Sequence, residues 1–140
     1  MDKPKKNHQI LLAEDHEDDY LLTRDAIQEA QLPVDLAWVK DGEELMDYLK
    51  QHSPELILLD LNMPKKTGKE ALIEIKTSEL LRRIPIIALT TSGSEADIEA
   101  CFDLGINSYI QKPVGFNQFV NMIKILYDFW FVISKLPAKS

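Results

Sequence analysis

Short apolar runs alternate along the chain with segments in which apolar residues recur every three or four positions. The runs predict five β-strands, at residues 10–13, 34–39, 56–59, 86–89 and 108–110. The segments between them have the periodicity of amphipathic α-helices, and a long apolar helical pattern follows Gly115. This alternation predicts an α/β fold, a doubly wound parallel sheet with right-handed crossovers and helices on both faces.

Capping signals indicate where three of these helices begin. Asp41, Thr67 and Ser94 each stand three residues before an acidic residue, which is the pattern of a side chain that caps a helix N-terminus. Gly105 follows an apolar helical segment and is expected to end it. The strand and helix boundaries are therefore predicted by turn and cap residues as well as by apolar periodicity.

Composition restricts the class of protein. The 140 residues are 45% hydrophobic, which is enough for one domain, predicted at 10–136 between tails at 1–9 and 137–140. A formal net charge of -7 disfavours nonspecific binding to nucleic acid or to an anionic membrane. Cys101 is the only cysteine and the chain opens with polar residues, so we expect no internal disulfide, no signal peptide and a cytoplasmic location.

Polar residues stand at the ends of four predicted strands. Glu14 and Asp15 follow the first strand, and Asp60 follows the third. Thr90 ends the fourth strand, and Lys112 follows the fifth. In an open α/β sheet, ligands bind in the crevice at the carboxyl ends of the strands. We therefore expect these side chains to share one site.

This combination of side chains indicates metal-assisted phosphoryl chemistry. Three neighbouring carboxylates repel one another unless a cation neutralises them, and oxygen ligands suit Mg²⁺. Lys112 and the Thr90 hydroxyl can bind phosphoryl oxygens, and the Asp60 carboxylate can accept a phosphoryl group covalently. Each residue alone also has an ordinary structural explanation as a cap, a loop start or a strand end. Their joint occurrence favours the functional interpretation.

Four segments, ILLAEDHEDD, LILLDLNMPKKTG, IIALTTS and SYIQKP, resemble the response-regulator receiver domain of two-component signalling. The resemblance covers nearly the whole chain. It implies a flavodoxin-like (βα)5 fold with strand order 2-1-3-4-5 and an extended C-terminal helix. It also implies that Asp60 is the phosphoacceptor for a sensor histidine kinase. Such a protein is a signalling protein rather than an enzyme, although it assists its own phosphorylation and dephosphorylation.

The resemblance also implies a magnesium site around Asp60. Asp15 would bind Mg²⁺ directly together with Asp60, Glu14 would bind it through a water molecule, and Asn62 would bind it through its backbone carbonyl.

The same resemblance implies roles for four residues near the phosphoryl group. Lys112 would contact the phosphoryl group, and the peptide bond before Pro113 would be cis. Thr90 and Tyr109 would form a switch pair, in which the hydroxyl moves toward the phosphoryl group and the aromatic ring turns inward.

The C-terminal helical pattern is apolar on two sides. One stripe is expected to cover the sheet; it comprises Phe116, Phe119, Val120, Ile123, Tyr127 and Trp130. The second stripe needs another burial surface, and we expect a homodimer interface there; it comprises Met122, Ile125, Phe129, Val132, Ile133 and Leu136. The alternative is a helix folded back on its own domain. The segments LTTS, NSYIQKP and ILYDFWF also resemble small stand-alone receivers that serve cyanobacterial-type phytochromes and dimerise through this region.

Three other functions share parts of this pattern. A flavodoxin-like cofactor binder has the same predicted fold, but Glu14 and Asp15 would repel an FMN phosphate. A haloacid-dehalogenase-type phosphatase requires a second Asp two positions after the nucleophile, where this chain has Asn62. A pseudo-receiver scaffold would not need the complete set of acidic, Thr and Lys residues.

Overall fold

A central parallel sheet organises the protein. The computed structural model describes residues 7–63, 65–91 and 93–134, and in these residues the sheet has five strands in the order β2-β1-β3-β4-β5. The strands are β1 (His8–Ala13), β2 (Val34–Val39), β3 (Leu56–Leu59), β4 (Ile86–Thr90) and β5 (Ser108–Gln111). The predicted α/β class and the flavodoxin-like strand order are confirmed.

Helices cover both faces of the sheet. They are α1 (Glu17–Glu29), α2 (Gly42–Gln51), α3 (Gly68–Thr77), α4 (Glu95–Asp103) and α5 (Phe116–Tyr127), and α5 continues as a π-helical segment (Asp128–Ile133). Buried side chains of α1 and α5 pack on one face, and those of α2, α3 and α4 pack on the other. Within the residues described, no helix has both the length and the apolar character needed to cross a bilayer.

Strand β3 lies in the middle of the core. Ile57 and Leu59 pack toward α2 and α3, whereas Leu56 and Leu58 pack toward α1 and α5. All four side chains are fully buried, as expected for a parallel strand covered on both faces. Because both faces are fixed by packing, the position of Asp60, which follows directly, is also fixed.

Strand register aligns the carboxyl ends of β1, β3 and β4. Ala13 pairs with Leu59, which in turn pairs with Ala88. The Asp60 backbone N–H donates to the Ala13 carbonyl at 2.9 Å. Glu14 and Asp60, which follow these strands directly, therefore lie side by side at the edge of the sheet.

The predicted capping residues begin their helices as expected. The side chain of Asp41 accepts a hydrogen bond from the N–H of Glu44, and that of Ser94 accepts one from the N–H of Asp97. Thr67 and Glu70 form a reciprocal capping box at the start of α3. After α4, Gly105 adopts a φ of 98°, a left-handed conformation that favours glycine.

Strand β1 begins earlier than predicted, inside the segment 1–9 that was expected to be a tail. Pairing with β2 explains this, because the ladder between the two strands starts with His8 opposite Val34. The Glu55 carboxylate also accepts a hydrogen bond from the Gln9 N–H and lies 3.0 Å from His8 Nδ1. The His8 ring also stacks on Phe131 of the π-helical segment, with 4.3 Å between ring centroids. The predicted tail 137–140 and Leu136 lie outside the described residues.

The C-terminal helix buries half of the stripe predicted to cover the sheet and partly buries Tyr127 and Trp130. Phe119, Val120 and Ile123 are buried, together with Leu126. Phe116 is an exception, being 41% exposed at the first residue of α5. The periodicity did not predict the π-helical segment, in which the Ser134 N–H donates to the carbonyl of Phe129, five residues earlier.

The expected cis peptide bond before Pro113 is wrong. No peptide bond is cis in the part of the chain that the structure describes. The trans form of an X–Pro bond is favoured by about 0.5–1 kcal/mol. With this trans bond, Lys112 still reaches the acidic residues beyond β1.

Candidate functional site

The carboxylates predicted to share a site do so at the carboxyl ends of β1 and β3. Glu14 is 1% exposed and Asp60 is 6% exposed, so both carboxyl groups are buried. Asp15 lies beside them with a partly buried side chain. The backbone N–H of Asn62 donates to Asp60 Oδ1 at 3.2 Å, whereas the Asn62 side chain is exposed. The acidic cluster therefore exists as the sequence predicts.

Several hydrogen bonds hold Glu14 in place. Its backbone N–H donates to the Val39 carbonyl at 2.9 Å, and its carbonyl accepts from Trp38 Nε1 at 2.7 Å. Its Oε2 accepts from the His16 N–H at 3.3 Å. The Trp38 contact was not predicted, although the in-register pairing of Trp38 with Leu12 brings the indole close to the end of β1.

Lys112 connects β5 to the acidic cluster. Its Nζ lies 2.5 Å from Glu14 Oε1 and 3.2 Å from Asp19 Oδ2. Burial lowers the pKa of Lys112, but the hydrogen bond and charge of Glu14, with the charges of Asp19 and Asp60, outweigh burial and raise the pKa overall. Lys112 therefore carries a positive charge into the site.

Asp19 is the residue that the sequence analysis missed. It lies in the first turn of α1 together with two other acidic residues, Glu17 and Asp18. No local signal distinguishes Asp19 from these neighbours, because only the folded chain brings it to Lys112. Its contact with Lys112 adds a second carboxylate to the lysine's surroundings.

Glu14 has an unusual affinity for protons. Burial raises the pKa of Glu14 to about 8, and the neighbouring Asp60 adds to the rise, although Lys112 opposes it. Two buried carboxyl groups with one nearby lysine favour retention of a proton. A divalent cation bound at the cluster would reverse this preference, because it would supply the missing positive charge.

The donor atoms of the cluster fit such a cation. Asp15 Oδ1 is buried and has no hydrogen-bond partner among the residues that the structure describes. Glu14, Asp15 and His16 each offer one ligand atom, and these atoms all lie within 4.8 Å of one another. An unsatisfied carboxylate oxygen beside a second carboxylate is suited to a hard divalent ion.

Thr90 and Tyr109 lie on neighbouring strands beside the cluster. Thr90 ends β4 and is fully buried, and its carbonyl accepts from the Lys112 N–H at 2.8 Å. Tyr109 in β5 pairs with Ala88 in β4. Its side chain is partly buried against the core on the α2 and α3 side of the sheet. The structure therefore places Thr90 in β4, which pairs with the strand that precedes Asp60, and Tyr109 in β5, which Lys112 follows.

A close backbone approach fixes the loop after Asp60. The N–H of Gly68, at the start of α3, donates to the Leu61 carbonyl at 3.1 Å. A Cβ atom at Gly68 would lie 2.3 Å from the Asp60 carbonyl oxygen and 2.6 Å from Leu61 Cα. Only glycine allows α3 to begin this close to the acidic cluster.

Comparison with known proteins agrees with this geometry. Residues 10–124 match the family model of the response regulator receiver domain. The chain belongs to this family. Response regulator Rcp1 of Synechocystis sp. is 38% identical to this receiver over 136 residues, which cover 92% of this chain and 92% of Rcp1.

Solved structures of receivers show the same likeness. The crystal structure of the phosphorylated cyanobacterial phytochrome response regulator RcpA has a TM-score of 0.87 and 40% identity, covering 94% of this chain and 99% of RcpA. The Mn²⁺-bound form of Rcp1 has a TM-score of 0.83 and 37% identity, again covering 94% and 99%. Receiver family membership confirms the response-regulator interpretation and does not favour a cofactor binder or a pseudo-receiver scaffold.

Proposed function

We propose that Asp60 of this receiver accepts a phosphoryl group from a sensor histidine kinase, with Mg²⁺ bound beside it. Asp15 and Asp60 would bind the ion directly, Glu14 through water and Asn62 through its backbone carbonyl. The observation that carries this proposal is that the buried carboxyl groups of Glu14 and Asp60 interact beside Asp15, whose Oδ1 is buried and has no hydrogen-bond partner among the described residues.

The reaction needs a nucleophile and charge neutralisation. An Asp60 carboxylate oxygen would attack phosphorus while the phosphorus–nitrogen bond of the kinase phosphohistidine breaks, and the imidazole nitrogen leaves with the bonding electron pair. Bound Mg²⁺ would neutralise the charge of the phosphoryl oxygens. Lys112 would move from its present carboxylate partners to a phosphoryl oxygen. Positioning and neutralisation of this kind supply most of the catalysis of phosphoryl transfer, so the receiver would assist its own phosphorylation and, with water as nucleophile, its dephosphorylation.

The signal would leave the site through Thr90 and Tyr109. The buried Thr90 hydroxyl would shift toward the phosphoryl group, and the partly exposed Tyr109 ring would turn further inward. Such a change alters the surface formed by α4, β5 and α5, which is a two-state element that a partner can recognise.

That surface continues into the proposed homodimer interface. Ile125, Phe129, Val132 and Ile133 are 69%, 50%, 66% and 72% exposed, and Met122 is partly buried next to them. A groove of about 490 Å³ between β5 and α5 is lined by several of the same apolar side chains. Because an apolar patch of this kind is rare on monomers, a second copy of the chain is the expected occupant.

The kinase is proposed to be a phytochrome in the cytoplasm. Support comes from the relatives, since RcpA is a cyanobacterial phytochrome response regulator and shares 40% identity with this receiver. Neither nucleic acid nor a membrane is an expected partner, because the chain carries a net charge of -7.

Phosphorylation of Asp60 can be tested by intact mass. The protein is incubated with Mg²⁺ and acetyl phosphate, beside the variant Asp60→Asn and a sample treated with a chelator. We expect one phosphoryl adduct on the wild type, none on the variant and a strongly reduced yield after chelation. An unmodified wild type would refute the proposal. An adduct that persists in the variant would show that another residue accepts the phosphoryl group.

A further inference from the structure

A histidine lies at the edge of the acidic cluster. His16 directly precedes α1, and its ring is 70% exposed. Its Nε2 lies 3.8 Å from Asp15 Oδ1, which is beyond hydrogen-bonding distance. The His16 side chain does not cap the helix, whereas its backbone N–H is bonded to the Glu14 carboxylate. The imidazole is therefore held beside the cluster but is not used by the helix.

The separation of these atoms fits two ligands of one metal ion. Ligand atoms that each lie about 2.1 Å from a divalent ion are separated by about 3 to 4 Å. The 3.8 Å between His16 Nε2 and Asp15 Oδ1 falls in this range. The oxygen concerned is the one that has no hydrogen-bond partner among the described residues. A nitrogen donor and an unsatisfied oxygen donor therefore face the same small volume.

We infer that His16 is an additional ligand of the divalent cation, and that it gives this receiver a preference for transition-metal ions. Imidazole nitrogen binds Mn²⁺, Co²⁺, Ni²⁺ and Zn²⁺, whereas Mg²⁺ strongly prefers oxygen ligands. Mg²⁺ would bind through oxygen ligands alone, whereas a transition-metal ion would bind the His16 imidazole as an additional ligand. This inference rests on the cation site of the proposed function and adds a ligand to it.

Two variants separate this role from general metal binding by histidines. His16→Phe keeps an aromatic ring at the same position but removes both nitrogens. His52→Phe is the matched control, because His52 is also exposed but lies after the end of α2, where its ring stacks on Tyr48. Affinities for Ni²⁺ and Mg²⁺ are measured by titration calorimetry on the full chain, and pulsed electron paramagnetic resonance is recorded on Mn²⁺-loaded protein.

The inference predicts a change in metal preference rather than a loss of binding. In His16→Phe, we expect the ratio of Ni²⁺ affinity to Mg²⁺ affinity to fall by about tenfold or more while Mg²⁺ affinity is unchanged. The wild type and His52→Phe should show histidine nitrogen coupling to Mn²⁺, and His16→Phe should lack it. Equal affinity ratios in all three proteins, or nitrogen coupling that persists in His16→Phe, would overturn the inference.

Failure of the proposed function would look different. If the wild type binds none of these ions, or if Asp15→Asn leaves all the affinities unchanged, the cation site itself is wrong and the inference is overturned with it. Normal Mg²⁺ binding with no nitrogen coupling in the wild type would overturn only the role of His16.

Discussion

Lys112, which follows the last strand of the sheet, donates a hydrogen bond of 3.2 Å from its Nζ to Asp19 in the first turn of α1. The same ammonium group is also bonded to Glu14. Lys112 thus has two carboxylate partners before any phosphoryl group arrives. For Lys112 to bind a phosphoryl oxygen, at least one of these partners must be released.

The first prediction concerns the Asp19 contact. Asp19→Asn should weaken this contact and raise the initial rate of phosphorylation by acetyl phosphate by about two- to fivefold, since a partly exposed ion pair contributes up to about 1 kcal/mol. The rate is measured from the time course of the phosphoryl adduct by intact mass.

Asp18→Asn is the control for this experiment, because Asp18 is exposed in the same turn and its substitution changes the net charge equally. A comparable acceleration in both variants would attribute the effect to overall charge. A slower reaction in Asp19→Asn would show that Asp19 holds Lys112 in a productive position.

The second prediction is a pH dependence of Mg²⁺ binding. The pKa of Glu14 is raised to about 8, mainly by burial, so below that pH a proton competes with the cation for the acidic cluster. We expect Mg²⁺ affinity to increase from pH 6.5 to pH 8, by up to about tenfold per pH unit, and then to level off. Calorimetric titration at several pH values measures this slope.

In Glu14→Gln, Mg²⁺ should bind more weakly and with a much smaller pH dependence over the same range. A slope that is the same in the wild type and in this variant would show that the competing proton is not held by Glu14.

The third prediction concerns the close approach at Gly68. A Cβ atom in Gly68→Ala would meet the Asp60 carbonyl oxygen at 2.3 Å, and backbone on both sides leaves little room for adjustment. We expect a loss of about 1–3 kcal/mol in the free energy of unfolding, as for other overpacked sites, with slower phosphorylation of Asp60. Urea denaturation measures the stability.

Gly93→Ala serves as a comparison for Gly68→Ala. Its Cβ would meet only the end of the flexible Gln111 side chain, which can move away. A similar loss of stability in both variants would contradict the steric explanation.

The fourth prediction tests the proposed dimer interface. Ile133 is 72% exposed, so Ile133→Lys should leave the fold intact. Burial of an isoleucine side chain contributes about 1.5–3 kcal/mol, so the variant should dimerise at least about tenfold more weakly. Sedimentation velocity over a concentration series measures the association.

Leu80→Lys provides the matched control, because Leu80 is 81% exposed but lies between α3 and β4. Equal association of the wild type and both variants would reject the proposed interface.

The sequence predicted the features that follow from local chemistry. The apolar runs located all five described strands, and Asp41, Thr67 and Ser94 begin their helices because cap preferences act within a few residues. The convergence of Glu14 and Asp60 was also predictable, since the strand ends of a parallel sheet lie at one edge.

Features that depend on distant contacts were not predicted. Nothing in the local sequence shows that Asp19 reaches Lys112, because the contact joins two residues that only the folded sheet brings together. The early start of β1 depends on its pairing with β2, which is distant in sequence. The π-helical segment escaped the periodicity because its apolar residues also fit ordinary helical spacing.

The stacking of His8 on Phe131 has a practical consequence for experiments on association. The start of β1 lies against the segment that carries Phe129, Val132 and Ile133, so a fluorophore attached at the exposed residue Asn7 would lie next to the proposed dimer surface. It would compete with a second copy of the chain for that surface. Labels for association measurements are better placed near Leu80, which is exposed and lies between α3 and β4.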